Sequence, residues 1–364
     1  MKLDSCKPQT MRPARLAFAA FVAVGLTLCG CGGHKRRLGP DLPVLNQLQP
    51  GSIYMNDAAR VAALTQQPGL LTEDDRSANS ERVRLFAQAT QDPKLWRKLD
   101  RKHRFDAILL AGDPAAFQTL LDHLLETKDW KLAFLDAESL MFCRPPCTEW
   151  KPGDLATVRK TIETEPPTAR GSALARLAGN LLAVRQIDLA KDVLDQAIRA
   201  DSNSAEIWVA MSIYHAKMRL WEEALADAQR ALGINKSHLP ALMAKAQLLL
   251  TMNRCEEALP LARELVRSSP RDPATLYLHA KIAHGAHDYR AEIESLNLLV
   301  EMAEKAGQAP TGYRIYLAQA YATIGEAEPA LAHLERALAD PEISKDQRAF
   351  CEDAVQRIKS RVKL

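Results

Sequence analysis

Aromatic residues make up only 5% of this 364-residue chain, and it has 16 glycines. None of those glycines forms a phosphate-cradling loop, and no nucleophile elbow of the G-x-S-x-G type occurs. The C-x-x-C redox pattern is also missing, and Cys143 and Cys147 in "CRPPC" are set wider around two prolines. The longest apolar run, residues 16–28, falls short of the ~20 residues that span a bilayer. Charge of one sign is scarce too. The net charge of +3 vanishes once residues 1–30 are set aside, because that segment takes four basic residues and one acid from totals of 48 and 45. A neutral remainder gives no electrostatic case for nucleic acid. These absences leave no cofactor or catalytic motif and favour binding over chemistry, so the expectation is a protein that is not an enzyme.

The amino-terminal segment is what remains to explain. Lys2, Lys7, Arg12 and Arg15 precede the apolar run, and small residues close it, the pattern of an export signal starting at Met1 or Met11. "LCGC", residues 28–31, resembles the bacterial lipobox, with small Gly30 before Cys31 and Leu28 three residues upstream. The resemblance implies a signal peptide over 1–30 and lipid attachment at Cys31, followed by a tether over 31–50. An uncleaved anchor, a soluble export signal and a two-cysteine metal site are the alternatives. "HKRR", residues 34–37, fits either anionic headgroups or the start of a solvated linker. The implied location is the bacterial cell envelope, lipid-anchored, with Gly32 favouring an outer membrane facing the periplasm.

In an exported protein, Cys143 and Cys147 read as a local disulfide, the alternative being two reduced thiols. Cys255 and Cys351 have no assigned partner.

Internal periodicity governs the second half. "WEEALADAQRAL" (221–232) is followed 34 residues later by "CEEALPLARELV" (255–266) and preceded at the same interval by "IDLAKDVLDQAI" (187–198). "YRAEIESLNLLV" (289–300) keeps the frame, and "AEPALAHLERAL" (327–338) follows a four-residue insertion. Small residues recur at Ala178, Ser212, Ala246, Ala280 and Ala318 in the preceding helices, and at Ala190, Ala224, Ala258 and Ala330 in these. Leu174, Trp208, Leu242 and Leu276 recur near the helix starts. Small residues at fixed spacing let antiparallel helices approach closely. Period, composition and pattern resemble the tetratricopeptide repeat, in five copies over 171–344. Two residues depart from it: Glu292 stands in place of alanine, and Arg314 in place of the large apolar residue. "ISKDQRAFCEDAVQRIKSRVKL" ends the chain, with a Ser344/Gln347 capping box and a stripe of Phe350, Ala354, Ile358 and Val362, and reads as a closing helix over 345–364.

Residues 51–150 lack that period. "SIYMN" (52–56), "GLLTED" (69–74) and "FDAILLAG" (105–112) have strand character, "WKLAFLD" with "SLMFCR" reads as a hairpin, and helical patterns lie between them. Asp113-Pro114 starts a helix as cap and first residue. The order resembles a soluble domain of bacterial multi-span glycosyltransferase-like proteins, on "LLTEDDR" (70–76), "FDAILL" (105–110) and "WKLAFLDAESLMFCR" (130–144). Asp75-Arg76 fits a structural ion pair or a ligand contact. The expected fold is therefore mainly α: a right-handed tetratricopeptide solenoid preceded by a small α/β domain, with 151–170 as linker or helix.

The repeat resemblance implies a concave face lined by the first helix of each pair. It would present Val209, Ile213 and Lys217, then Met243, Gln247 and Leu250, then Tyr277, Lys281 and His284, then Ile315, Gln319 and Thr323. Such a face fits a protein or peptide partner, or is merely a partly solvated surface. His279, His284 and His287 have ligand-like spacing, but the first sits at a packing position and the others in a polar turn, so no metal is expected. The expectation is a membrane-anchored scaffold or assembly factor without cofactor. The alternative is an accessory subunit for envelope glycan or glycosyl-transfer machinery, acting through the α/β domain.

Overall fold

The computed structural model describes residues 53–55, 85–86, 88–341 and 343–362. Cys31, "GLLTED", Asp75-Arg76 and the helical pattern at 57–67 lie outside the described residues. By contact the chain divides between Ala210 and Met211.

The first unit holds a four-stranded sheet in the order β1-β2-β4-β3. β1 (Ile53–Met55) runs parallel to β2 (Ala107–Ala111), with Ile53 opposite Ala107. β2 pairs antiparallel with β4 (Ser139–Cys143), and β4 with β3 (Lys131–Leu135), whose register shifts between Leu132 and Phe134. β2 and β4 are buried along their whole length. That burial explains why both read as unbroken apolar runs rather than alternating ones.

Between β1 and β2 stands α1 (Pro93–His103), capped by Asp92, which accepts from Lys94 N and Leu95 N. Asp113 caps the next segment as expected, accepting from Ala115 N at 2.9 Å. That segment opens as a 3-10 turn, Pro114–Phe117, before α2 (Gln118–Glu126). Tyr54, Phe86, Trp96 and Phe105 form an aromatic core, the Tyr54 ring lying 4.7 Å from Phe86 and 4.8 Å from Trp96. The Tyr54 hydroxyl donates to the Phe86 carbonyl, and burial pushes its pKa up. Arg144 fixes the end of β4 to α1: its guanidinium donates to both Asp100 oxygens at 2.7 and 2.8 Å and lies 4.4 Å from the Trp130 ring centre. Cys143 and Cys147 are disulfide-bonded beside it.

The β3–β4 turn is built on Asp136, whose carboxylate accepts from Glu138 N and Ser139 N, both at 2.8 Å. Burial outweighs those bonds and raises its pKa to about 6. After α3 (Leu155–Glu163) comes α4 (Pro167–Ala183), which docks on that turn. Asn180 donates to the Asp136 carbonyl at 2.7 Å, and Arg176 pairs with Glu138 at 2.9 Å. The first helical pair, α4 and α5 (Ile187–Ala200), therefore belongs with the sheet.

α6 (Ala205–Lys217) contains the division. The second unit continues with α7 (Trp221–Ile234), α8 (Leu239–Thr251), α9 (Cys255–Ser268), α10 (Pro273–Gly285), α11 (Tyr289–Lys305), α12 (Thr311–Thr323) and α13 (Ala327–Leu338). Antiparallel pairs on a 34-residue spacing make this a mainly α fold of the tetratricopeptide type. The small positions lie at the contacts: Ala224, Ala246, Ala258 and Ala330 are fully buried, as is Ala190 in the first unit. Ser212 fits the same place because its hydroxyl donates to the Ala224 carbonyl at 2.7 Å.

Each pair turns through a left-handed residue at one position: Arg185, Arg219, Asn253, His287 and Gly325. Each is followed by a six-residue backbone closure, such as Leu220 N to His215 O at 2.9 Å and Asp288 N to Ala283 O at 2.8 Å. The four-residue insertion is an extra turn on α11. α14 (Lys345–Val362) closes the array over Ile315, Ala318, Leu334 and Ala337, using Phe350, Ala354 and Ile358. Ser344 and Gln347 form the expected reciprocal cap. Among the described residues no helix is long and apolar enough to cross a membrane.

A candidate binding face on the first helices

The first helix of each pair in the second unit, α8, α10 and α12, is buried on more than one side. Few of its side chains therefore reach the surface. Of those expected there, Gln247, Leu250, Tyr277, Lys281 and Gln319 are half-buried, and His284 and Thr323 are exposed. On α6, Ile213 is half-buried and Lys217 exposed. Val209, Met243 and Ile315 are buried. Met243 packs in the cluster with Leu242, Leu249 and Ile282, and Ile315 lies under α14. Helices this apolar turn more than one stripe inward, so a position that faces outward in one repeat is core in the next.

On α12 the outward position belongs to Tyr316, 44% exposed. Sequence reading missed it and its neighbour Tyr313. The available signal was three tyrosines on successive first helices, 277, 313 and 316, in a chain poor in aromatics. Tyr277 lies 6.0 Å from Tyr313 and 6.4 Å from Tyr316, ring centre to ring centre. Burial raises the pKa of Tyr277 and Tyr313, keeping both phenols neutral. The Lys281 ammonium stands 5.7 Å from the Tyr277 ring centre, within reach of a cation–π attraction. Burial lowers the Lys281 pKa, and no carboxylate offsets that effect.

The histidines do not converge. His279 is buried with Nδ1 2.7 Å from Ser295 Oγ, and burial lowers its pKa. His284 Nδ1 is 3.0 Å from Glu292 Oε2, and that hydrogen bond raises its pKa. His287 meets the Tyr289 hydroxyl at 3.0 Å. His284 accounts for the first departure from the repeat, because Glu292, 4% exposed where the other copies have alanine, has an imidazole as partner. The second departure has a similar cause. Arg314, 8% exposed, pairs with Glu304, which sits on the extra turn of α11. Insertion and arginine thus belong to one local rearrangement. In the repeat of α6 and α7, Asp227 meets His215 at 2.6 Å; burial raises the Asp227 pKa, partly offset by that bond. Cys255 and Cys351 are both buried and free.

No protein-family model matches the chain, and no curated protein does. Solved structures similar to it include MamA residues 41-end from Desulfovibrio magneticus RS-1, at 19% identity over 46% of this chain and 93% of that one, TM-score 0.41. YrrB, described as a TPR protein with an unusual peptide-binding site, is 16% identical over 53% of this chain and 96% of its own, TM-score 0.46. TTC0263, a thermophilic TPR protein of Thermus thermophilus, is 18% identical over 51% and 99%, TM-score 0.37.

Proposed function

We propose that this chain is an interaction scaffold of the bacterial cell envelope. It is held to the membrane by lipid on Cys31 and binds a protein or peptide partner on the first-helix face of its array, without chemistry. One observation carries the binding reading: Tyr277, Tyr316 and Lys281 crowd together on α10 and α12 while remaining partly open to solvent. An aromatic cluster left open beside a half-desolvated ammonium gains from being covered. The anchor reading is supported by the lipobox-like "LCGC" alone.

Photo-crosslinking tests the binding reading. With p-benzoylphenylalanine in place of Leu250 or Thr323, discrete adducts form in cells; in place of Glu264, an exposed residue on the second helix α9, they do not. Adducts equally abundant at all three positions, or at none, refute the face. Cys31→Ser tests the anchor. The variant leaves the membrane fraction and loses labelling by a palmitate analogue, and retained labelling refutes the site.

A further inference from the structure

The strand order leaves β3 at an edge of the sheet, with β4 on one side of it. Its first residue, Lys131, lies opposite Cys143, and Leu132 lies opposite Phe142. The chain leaves β4 at Cys143 and soon returns to β3. Glu149 pairs with Lys131 at 2.9 Å, and the Trp150 N–H donates to the Leu132 carbonyl at 2.7 Å. Because β4 already holds the other side, residues 144–151 form a strap round the start of β3 and onto its free edge. α4 docks on the turn beyond the strand's other end.

Few contacts hold the strap. Arg144 begins it, fixed to Asp100 and to the Phe105 carbonyl at 2.8 Å, and the Trp150 ring, 8% exposed, ends it. Among the described residues, 145–149 make no backbone hydrogen bond, and two of them are prolines without an N–H. Pro145, Pro146, Thr148 and Glu149 are exposed. The Glu149–Lys131 pair is exposed too, where an ion pair contributes little. The Cys143–Cys147 bond is therefore the main constraint between the two ends. Its sulfurs differ in access. Cys143 is 3% exposed, whereas Cys147 is half-buried among exposed neighbours.

We propose that the strap is a redox latch over the edge of β3. The oxidised disulfide keeps it closed, and a dithiol reductant opens it. The reductant's thiolate attacks Cys147 Sγ, a mixed disulfide forms there, the Cys143–Cys147 bond breaks, and Cys143 leaves as a thiolate that takes a proton from water. The reductant's second thiol then attacks its own sulfur in the mixed disulfide and releases Cys147. The protein gains two electrons and two protons, and the dithiol becomes a disulfide. In the open strap the Trp150 hydrogen bond yields to water, and the start of β3 presents unpaired backbone groups beside Leu132, the exposure that natural sheets guard against.

Hydrogen exchange in the full chain, oxidised or reduced with dithiothreitol, tests the latch. The Trp150 amide exchanges about tenfold faster or more after reduction. The Leu109 amide, in a strand flanked on both sides, keeps its rate. Cys143→Ser/Cys147→Ser exchanges Trp150 at the reduced rate with or without dithiothreitol. A C-x-x-C dithiol protein whose second cysteine is replaced by serine is trapped as a mixed disulfide on Cys147, located by peptide mass spectrometry. An unchanged Trp150 rate on reduction overturns the proposal, because the strap then holds without the bond. Equal acceleration at Leu109 overturns it as well, because the bond then supports the whole sheet rather than the strap. Trapping on Cys143 overturns the assigned point of attack.

Discussion

Trp96, Tyr54 and Phe105 fill the space between sheet and helix in the first unit, each meeting side chains distant in sequence. In residues 211–362 the corresponding work falls to Ala224, Ala246, Ala258 and Ala280, which set how closely neighbouring helices approach. The aromatic core depends on a few large volumes, whereas the array depends on the same small volume recurring. The first is vulnerable to truncation and the second to enlargement. The array also absorbs polar residues in its interior, Glu292 with His284 and Arg314 with Glu304, because each exception needs one local partner rather than a redesigned core.

Truncation of the aromatic core should have the largest effect. Trp96→Ala is expected to cost the first unit about 3–5 kcal/mol, read by urea unfolding, while the helical signal of the array unfolds near its original midpoint. A single shared transition moving by the full amount would erase the distinction between the units.

Enlargement of the array comes next. Ala258→Leu is expected to cost about 1–3 kcal/mol. Gly285 offers a sharper test, because a Cβ there would collide with Cys255 Sγ and lie 3.1 Å from Cys255 Cβ. Gly285→Ala is expected to destabilise, and Cys255→Ala to recover part of the loss. A double-mutant cycle without coupling would show that this helix crossing is not set by contact between the two residues.

The polar exceptions predict a pH effect. Because Glu292 raises the His284 pKa, the pair's contribution is complete below the unfolded histidine value of about 6.5 and is lost as pH rises through the higher folded value. His284 is 57% exposed, so the effect is small. The melting temperature of the wild type should fall more between pH 6 and pH 9 than that of Glu292→Ala, which restores the repeat's small residue. Parallel profiles would refute the linkage.

The smallest effect lies in the turns. Arg219 holds φ at 60° where the equivalent Gly325 holds 87°. Arg219→Gly should change stability by no more than about 1 kcal/mol, and toward stabilisation, since relief of the left-handed backbone offsets the greater freedom of the unfolded chain. Clear destabilisation would mean that the arginine side chain matters to the turn.

The repeat was legible because its determinants are local and periodic. Ala190, Ala224, Ala258 and Ala330 recur in register, and the helices begin where the pattern places them. β2 and β4 were legible as apolar runs, and Asp113 as a cap. The left-handed turn residues were not, since Arg185, Arg219, Asn253 and His287 share no side-chain property that marks a positive φ. Of the candidate face, the solvent access was legible only in part. Gln247, Tyr277, Lys281 and Gln319 stand at the surface, but Tyr316 took the place expected for Ile315 after α14 covered that position.

By itself the sequence determined the helical pairs and their spacing, because both follow from residues close together in the chain. Only the tertiary structure decided which outward positions stay open, that Glu304 reaches Arg314 and Glu292 reaches His284, and that α4 is tied to the sheet through Asn180 and Arg176. Those outcomes depend on which surfaces other helices cover, and burial is a property of the assembled neighbours rather than of any one segment.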